Sequence, residues 1–244
     1  MNIDGYVTVG VDREYDLTAD ALLAAMDRAE VERAVIAPVD RYLAVDNREG
    51  NTQILKTAAA HPGRLIPACS VTPWYAERAM AEMARAVGEG ARMLVLHPLI
   101  QGFQANDDLA WALMELANVE QVPVYVHTGP PGSATPWQLV DLAERWPGVD
   151  FIMGHSGTSD FWNDVDGAAQ AASNIYIESS MARPWGWVGR MKTLGNSRGV
   201  MGSAAPLNDL VFEWEQMRLA LPREAWPEVL GGNLQRLLEK RGAL

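Results

Sequence analysis

The stretch "ARMLVLHPLIQGFQANDDLAWALMELANVEQVPVYVH" (residues 91–127) contains two short apolar runs on either side of one helical pattern. The runs "ARMLVLH" (91–97) and "VPVYVH" (122–127) are continuously apolar, which is typical of strands in a parallel sheet covered on both faces. Between them, "DDLAWALMELANVEQ" (107–121) has apolar residues at three- and four-residue spacing, and this spacing predicts a helix. The stretch is therefore a predicted strand–helix–strand unit.

The same alternation continues along the whole chain. Six further strands are predicted: "MNIDGYVTV" (1–9), "ERAVIAP" (32–38), "RLIPACSV" (64–71), "VDFIMGH" (149–155), "NIYIES" (174–179) and "SRGVMGS" (197–203). Eight units of about thirty residues predict an α/β fold, a (β/α)8 TIM barrel that forms a single domain over residues 1–244. The rival fold, an open doubly wound sheet, needs a glycine-rich phosphate loop after the first strand. The segment "VGVDREYD" (9–16) does not provide one.

Composition limits the classes of partner and compartment. The 244 residues carry a net charge of −11, which argues against nucleic acid and anionic membranes because both require basic patches. The single cysteine, Cys69, rules out an intrachain disulfide framework and a cysteine zinc cluster. The N-terminus does not resemble a signal peptide, and no apolar window reaches the length of a membrane span. We expect a cytoplasmic protein with a small-molecule substrate; a homodimer is an open alternative.

Histidines mark the predicted active end of the barrel. Barrel enzymes place their chemistry at the carboxyl ends of the strands, and His97, His127 and His155 each end a predicted strand. Glu178 closes the seventh strand and is a candidate for the same site, or for a salt bridge with Arg183. Three of the four histidines at strand ends favour an active site over separate structural roles.

The chain resembles the amidohydrolase-related family, the barrel group that includes aminocarboxymuconate semialdehyde decarboxylase. The resemblance is carried, in family order, by "NIDGYVTVG", "HPGRLIPACSVTP", "LHPLIQGFQANDD", "VPVYVHTG", "FIMGHSG", "MGSAAP" and "VLGGNLQRLL". It spans the whole chain and implies the barrel fold together with hydrolase, lyase or decarboxylase chemistry.

The resemblance also implies a divalent metal, usually zinc, but most of the corresponding ligands are missing. The family's His-x-His on strand one falls on Tyr6 and Thr8, and its strand-eight aspartate falls on Ala204. Only the strand-five ligand, His127, is kept, together with the strand-six histidine, His155. Tyrosine and threonine are poor zinc ligands at neutral pH. We therefore expect no metal and no other cofactor.

Without a metal, the expected function is acid–base catalysis of the lyase, decarboxylase, isomerase or cyclase type. His127, His155, Tyr6 and Glu178 are the predicted catalytic residues. With the metal gone, we expect the pKa of His127 to lie near the reference value of about 6.5. Two alternatives stay open: a pseudoenzyme that binds a ligand or partner, and a metal-dependent hydrolase or decarboxylase with a rearranged site that includes Asp4.

Aromatic residues after the strand ends suggest an aromatic or apolar organic substrate of small to medium size. The predicted substrate-binding residues are Thr8, Trp74, His97, Phe103, Trp162, Arg183, Trp185 and Ala204.

Overall fold

A computed structural model describes residues 1–129, 134–158 and 160–242 and shows a barrel of eight parallel strands. The strands, each hydrogen-bonded to the next, are β1 (Ile3–Thr8), β2 (Arg33–Ala37), β3 (Leu65–Ser70), β4 (Met93–Leu96), β5 (Val124–His127), β6 (Phe151–Gly154), β7 (Ile175–Glu178) and β8 (Gly199–Val200). Every predicted strand is confirmed, and each is shorter than its apolar run. The additional residues of each run lie in loops beside the strand.

Helices cover the outside of the barrel. They are α1 (Ala19–Arg28), α2 (Asp40–Ala44), α3 (Asn47–Ala60), α4 (Glu77–Gly88), α5 (Pro98–Gln101), α6 (Trp111–Glu120), α7 (Pro136–Arg145), α8 (Val165–Ala171), α9 (Pro184–Leu194), α10 (Leu210–Ala220) and α11 (Asn233–Leu238). Thr18 begins α1 as an N-cap, accepting a hydrogen bond from the backbone N–H of Ala21 at 3.2 Å. None of the helices in the described part of the chain has the length and apolar character needed to cross a membrane.

The core has two layers. Inward-facing side chains fill the barrel itself, among them Ile3, Val35, Met93, Tyr125 and Ile152. A larger layer lies between the strands and the helices. Because both faces of the sheet are buried in this way, the strands are continuously apolar.

The barrel closes along a seam between β1 and the segment after β8. The backbone N–H of Gly5 donates to the carbonyl of Met201, and that of Thr8 donates to Ala205, both at 2.9 Å. These bonds join the two ends of the eight-stranded sheet, so the strands form a TIM barrel rather than an open sheet.

A buried carboxylate strengthens this seam. Asp4 Oδ1 accepts hydrogen bonds from the backbone N–H groups of Ser203 at 3.0 Å and Tyr6 at 3.2 Å. Its Oδ2 accepts from the indole Nε1 of Trp214 on α10 at 2.8 Å. Burial raises the pKa of Asp4 to about 6, although these donors favour the charged form. One side chain thus links the first strand, the last loop and an outer helix.

A short hairpin that the sequence patterns did not reveal lies beside the mouth of the barrel. It pairs Gly10–Val11 with Asp16–Leu17 in antiparallel fashion. Two-residue strands are too short to produce a recognisable alternation. The hairpin places Asp12 at the rim of the cavity described next.

Candidate active site

A cavity of about 270 Å³ opens at the carboxyl ends of the strands. This volume lies near the lower limit of small-molecule pockets, which span roughly 300–1,000 Å³. Six predicted site residues come together in its lining: Tyr6, Thr8, His97, His127, His155 and Ala204. They converge because parallel strands present their carboxyl ends at one face of the barrel.

Four hydrogen bonds join five side chains in a single line. Tyr6 Oη lies 3.0 Å from His127 Nε2, and His127 Nδ1 lies 2.9 Å from His155 Nε2. His155 Nδ1 lies 2.8 Å from Ser180 Oγ, whose hydroxyl donates to Glu178 Oε2 over 2.7 Å. We call this line the proton chain. It connects the cavity to a fully buried carboxylate.

The carboxylate end determines where each hydrogen of the proton chain lies. An ionised Glu178 only accepts hydrogen bonds, so Ser180 donates its one hydroxyl hydrogen to it. The Ser180 oxygen then accepts from His155, which leaves Nε2 of His155 free to accept from His127. His127 in turn accepts the Tyr6 hydroxyl through its own Nε2. With Glu178 ionised, this pattern assigns both imidazoles as neutral rings protonated on Nδ1.

Glu178 lies beneath the cavity rather than in its lining. Its Oε1 accepts from the backbone N–H of Ser180 at 2.6 Å, and its Oε2 accepts from the backbone N–H of His155 and the Tyr125 hydroxyl, each at 2.9 Å. Burial raises the pKa of Glu178, while these donors oppose that shift. Because a backbone N–H group can only donate a hydrogen bond, the two backbone donors stabilise the ionised form of Glu178. Arg183, the alternative partner, is exposed.

Burial keeps both histidines of the proton chain neutral. It lowers the pKa of His155 to about 4 and that of His127 well below its usual range. The expectation that His127 titrates near 6.5 is therefore wrong. Loss of a metal does not restore the pKa of a solvated imidazole, because desolvation penalises the charged ring.

An unusual turn after β6 aims His155 at the proton chain. His155, Ser156 and Gly157 all have left-handed backbone conformations, with φ of 62°, 46° and 66°. A non-glycine residue in this region costs of order 1–3 kcal/mol and requires support from its surroundings. The Ser156 hydroxyl donates to the carbonyl of Glu178 at 2.5 Å, and the N–H of Gly157 donates to Thr128 Oγ1 at 2.8 Å. These bonds hold the turn against β7 and β5.

Aromatic packing fixes the rings at the cavity floor. His97 stacks on His127 with centroids 4.1 Å apart, and Tyr6 stacks on Tyr125 at 4.6 Å. Gly154 makes room for the second stack, because a Cβ there would lie 2.4 Å from the Tyr125 ring. Tyr6 and His127 therefore meet at a defined geometry.

Two predicted substrate-binding residues pack against other side chains and are not part of the described lining of the cavity. Phe103 is buried in the outer apolar layer. Trp162 packs under the guanidinium of Arg190, 3.8 Å from its ring centroid. A position after a strand end places a residue at the correct end of the barrel, but it does not direct the side chain towards the axis.

Three others lie on the surface outside the described lining of the cavity. Trp74 and Trp185 are 60% and 61% exposed, and Arg183 is exposed as well. Trp74 donates its indole N–H to the carbonyl of Gln101 at 3.0 Å.

Several functional candidates escaped the sequence analysis. Tyr125 lies two residues before His127 on β5, so strand alternation places both on one face and this signal was available. Ser180 follows Glu178 by two residues in "ESS", but its role depends on a loop conformation. Asp12 and Asp40 line the cavity from the hairpin and from α2, and no motif marks them.

The residues present do not fit the metal that the family resemblance implies. Tyr6 hydrogen-bonds the Nε2 of His127, and Ala204 offers only a methyl group where the family has a carboxylate. Both oxygens of Asp4, the candidate for a rearranged site, are taken up at the seam. Within residues 1–129, 134–158 and 160–242, no three His, Cys, Asp or Glu side chains are grouped as metal ligands.

The assigned tautomers give a first testable prediction. Imidazole ¹⁵N NMR at pH 7 should show His127 and His155 as neutral Nδ1–H tautomers, because each Nδ1 donates along the proton chain. Ser180→Ala removes the acceptor of His155 and should shift its ring towards a mixture of tautomers. A spectrum with His127 protonated on Nε2 would contradict the assigned direction.

The structure is a TIM barrel with histidines and a tyrosine at the carboxyl ends of its strands. The amidohydrolase family model matches residues 5–237, and the chain belongs to this family. No curated protein sequence matches the chain.

Solved structures of enzymes share the fold at low identity. A 5-carboxyvanillate decarboxylase from Sphingomonas paucimobilis has a TM-score of 0.78 and 16% identity, covering 98% of each chain. A dihydroxybenzoic acid decarboxylase from Polaromonas, with bound manganese and the inhibitor 2-nitroresorcinol, has a TM-score of 0.78 and 13% identity, covering 99% of this chain and 98% of its own. A 4-oxalomesaconate hydratase from Rhodopseudomonas palustris has a TM-score of 0.72 and 14% identity, covering 98% and 95%.

Proposed function

We propose that this protein is an amidohydrolase-family enzyme that transfers protons to and from a small to medium organic substrate without a catalytic metal. The observation that carries the proposal is the proton chain from Tyr6 at the cavity to the buried Glu178. The reaction belongs to the lyase, decarboxylase, isomerase or cyclase type.

The proton chain gives a remote carboxylate access to the substrate. When the Tyr6 oxygen takes a proton from the substrate, it releases its own to His127. His127 passes its Nδ1 proton to His155, which passes its own to Ser180, and Ser180 protonates Glu178. The reverse sequence returns a proton to another substrate atom. Once the transfer is complete, the four groups between the substrate and Glu178 are neutral again, and only Glu178 has gained a proton.

The pKa directions along the proton chain suit this division of roles. Burial raises the pKa of Tyr6, with contributions from the carboxylates of Asp40 and Glu178, so Tyr6 is a neutral phenol in the resting state. Burial also raises the pKa of Glu178, which makes its carboxylate a stronger base than a solvated one. The two histidines relay protons as neutral rings.

The proposal is tested by metal removal. The purified protein should contain well under one equivalent of zinc, manganese or iron, and chelator should leave its melting temperature unchanged. Chelator-treated protein should also catalyse exchange of a carbon-bound hydrogen of its substrate with deuterated water, followed by NMR over a panel of single-ring compounds. Stoichiometric metal would instead support the rearranged site, and absence of exchange from the whole panel would support a binding protein.

Two variants test whether the residues at the family's metal-ligand positions prevent zinc binding. Ala204→Asp alone should not create zinc binding, because Tyr6 still occupies Nε2 of His127. The triple variant Tyr6→His, Thr8→His, Ala204→Asp restores the family's ligand types and should bind zinc. Equal zinc binding by the single and triple variants would contradict our account of the lost site.

A further inference from the structure

The acidic side chains in the described lining of the cavity are Asp12 and Asp40, and no lysine or arginine is among the described lining residues. The structure does not describe residues 130–133, 159 and 243–244. These are Pro, Pro, Gly, Ser, Ser, Ala and Leu, so none of them has a basic side chain. An anionic substrate would have no cation to bind here.

Asp12 and Asp40 differ in the hydrogen bonds that their carboxylates accept. Asp12 Oδ2 accepts a hydrogen bond from the backbone N–H of Asp40 at 3.0 Å, and its Oδ1 accepts from the N–H of Arg13 at 2.7 Å. The Asp40 carboxylate has no hydrogen-bond or ion-pair partner among the described residues. Arg13, the nearest basic residue in sequence to Asp12, pairs with Glu14 at 2.7 Å instead. Asp40 thus lines the cavity as a carboxylate without a counter-ion in the described part of the chain.

Other groups in the cavity also point to a ligand. Two buried polar atoms of lining residues, His97 Nδ1 and Thr158 Oγ1, have no hydrogen-bond partner among the described residues. Buried polar atoms are normally satisfied, and an exception calls for an explanation such as a bound group. Apolar side chains, among them Val39, Ile100 and Leu207, form other parts of the wall. The cavity therefore combines an acidic mouth, apolar walls and two lining residues with unsatisfied polar atoms.

We propose that the substrate of this cavity is a small organic cation, a protonated amine carried on an apolar body of single-ring size, with its charge at Asp40 and Asp12. The proposal rests on the proposed function, since it names the substrate class of the same site. It also suits that chemistry, because breaking a carbon–hydrogen bond next to the ammonium sends the proton to the proton chain and leaves the electron pair on carbon beside the positive charge, so the product has no net charge.

Three probes of similar size test the charge preference: benzylamine, benzyl alcohol and benzoate, titrated at pH 7.5 and followed by calorimetry. Benzylamine should bind at least about tenfold more tightly than benzyl alcohol, and benzoate should bind most weakly. Benzylamine should also shift the imidazole resonances of His97 and His127, which places it in the cavity. Benzoate binding as tightly as benzylamine, or no benzylamine binding at millimolar concentration, would overturn the proposal.

Variants assign the preference to the acids at the mouth. Asp40→Asn should weaken benzylamine binding about tenfold and leave benzyl alcohol binding unchanged, and Asp12→Asn provides a second test should the first variant fail to fold. Asp20→Asn, an exposed acid in the first turn of α1, is the matched control and should have no effect. Equal benzylamine affinity in all three variants would refute the assignment.

The outcome separates this proposal from the one it rests on. Selective benzylamine binding without hydrogen exchange by any amine would uphold the substrate class and overturn the catalytic function. Exchange of neutral or anionic compounds alone would do the reverse.

Discussion

Replacing Tyr6 with phenylalanine should lower the proposed rate of substrate hydrogen exchange by roughly 10²–10⁴-fold, the usual contribution of a positioned acid–base group. The phenylalanine ring keeps the stack on Tyr125, which has a centroid distance of 4.6 Å in the native protein, but it cannot transfer a proton to His127. The rate is measured by NMR in deuterated water on the compound that the wild-type protein exchanges fastest. His155→Asn, which interrupts the proton chain further inside, should produce a loss of the same order.

Tyr15→Phe is the matched control, because Tyr15 also lines the cavity but lies outside the proton chain and is 43% exposed. It should retain the wild-type rate, and melting curves should show that all three variants fold. If Tyr6→Phe and His155→Asn exchange as fast as Tyr15→Phe, the proton chain is structural.

Acidification should destabilise the wild-type protein more than its His155→Asn variant. The pKa of His155 is about 4 in the folded protein, whereas an unfolded histidine has a value of about 6.5. Below pH 6.5 the unfolded chain therefore binds the extra proton, and stability falls as pH decreases towards 4. The difference of about 2.5 units corresponds to ~3 kcal/mol of unfolding free energy from this ring.

The measurement is the difference between two urea-unfolding series from pH 7 to pH 4. Asp4 acts with the opposite sign, because its pKa of about 6 in the folded state means that its contribution to stability increases as pH falls. That contribution is common to both proteins and cancels. Asparagine is the chosen replacement because it tolerates the φ of 62° at position 155. Parallel curves for the two proteins would show that His155 is not held neutral by burial.

The sequence predicted the barrel well because every strand is an apolar run and three of the eight runs also end in a histidine. Apolar runs such as "VPVYVH" indicate a buried parallel strand, and a histidine at the end of three of them indicates the active face. Both signals are local and depend on residue type alone. The strand order then follows from the regular alternation of strands and helices.

The connections within the site were less accessible to sequence reasoning. The hydrogen bond between Tyr6 and His127 joins residues 121 positions apart, and the contact from His155 to Ser180 depends on a left-handed turn. Side-chain direction in loops was also hidden, so Trp74 and Trp185 seemed equivalent to residues that face the axis. Residue type located the end of the barrel, whereas backbone conformation selected the side chains that meet there.

The seam at Asp4 has a consequence for synthesis of the chain. The carboxylate accepts hydrogen bonds from the backbone N–H of Ser203 and the indole N–H of Trp214, which lie 199 and 210 positions further along the sequence. At a translation rate of roughly 5–20 residues per second, β1 waits for about 10–40 s before these partners are made. During that interval the growing sheet has unpaired N–H and C=O groups along its first strand, which are templates for pairing with another chain. We therefore expect the first strand to be the part of the growing chain most open to mispairing until the residues of the seam have been made.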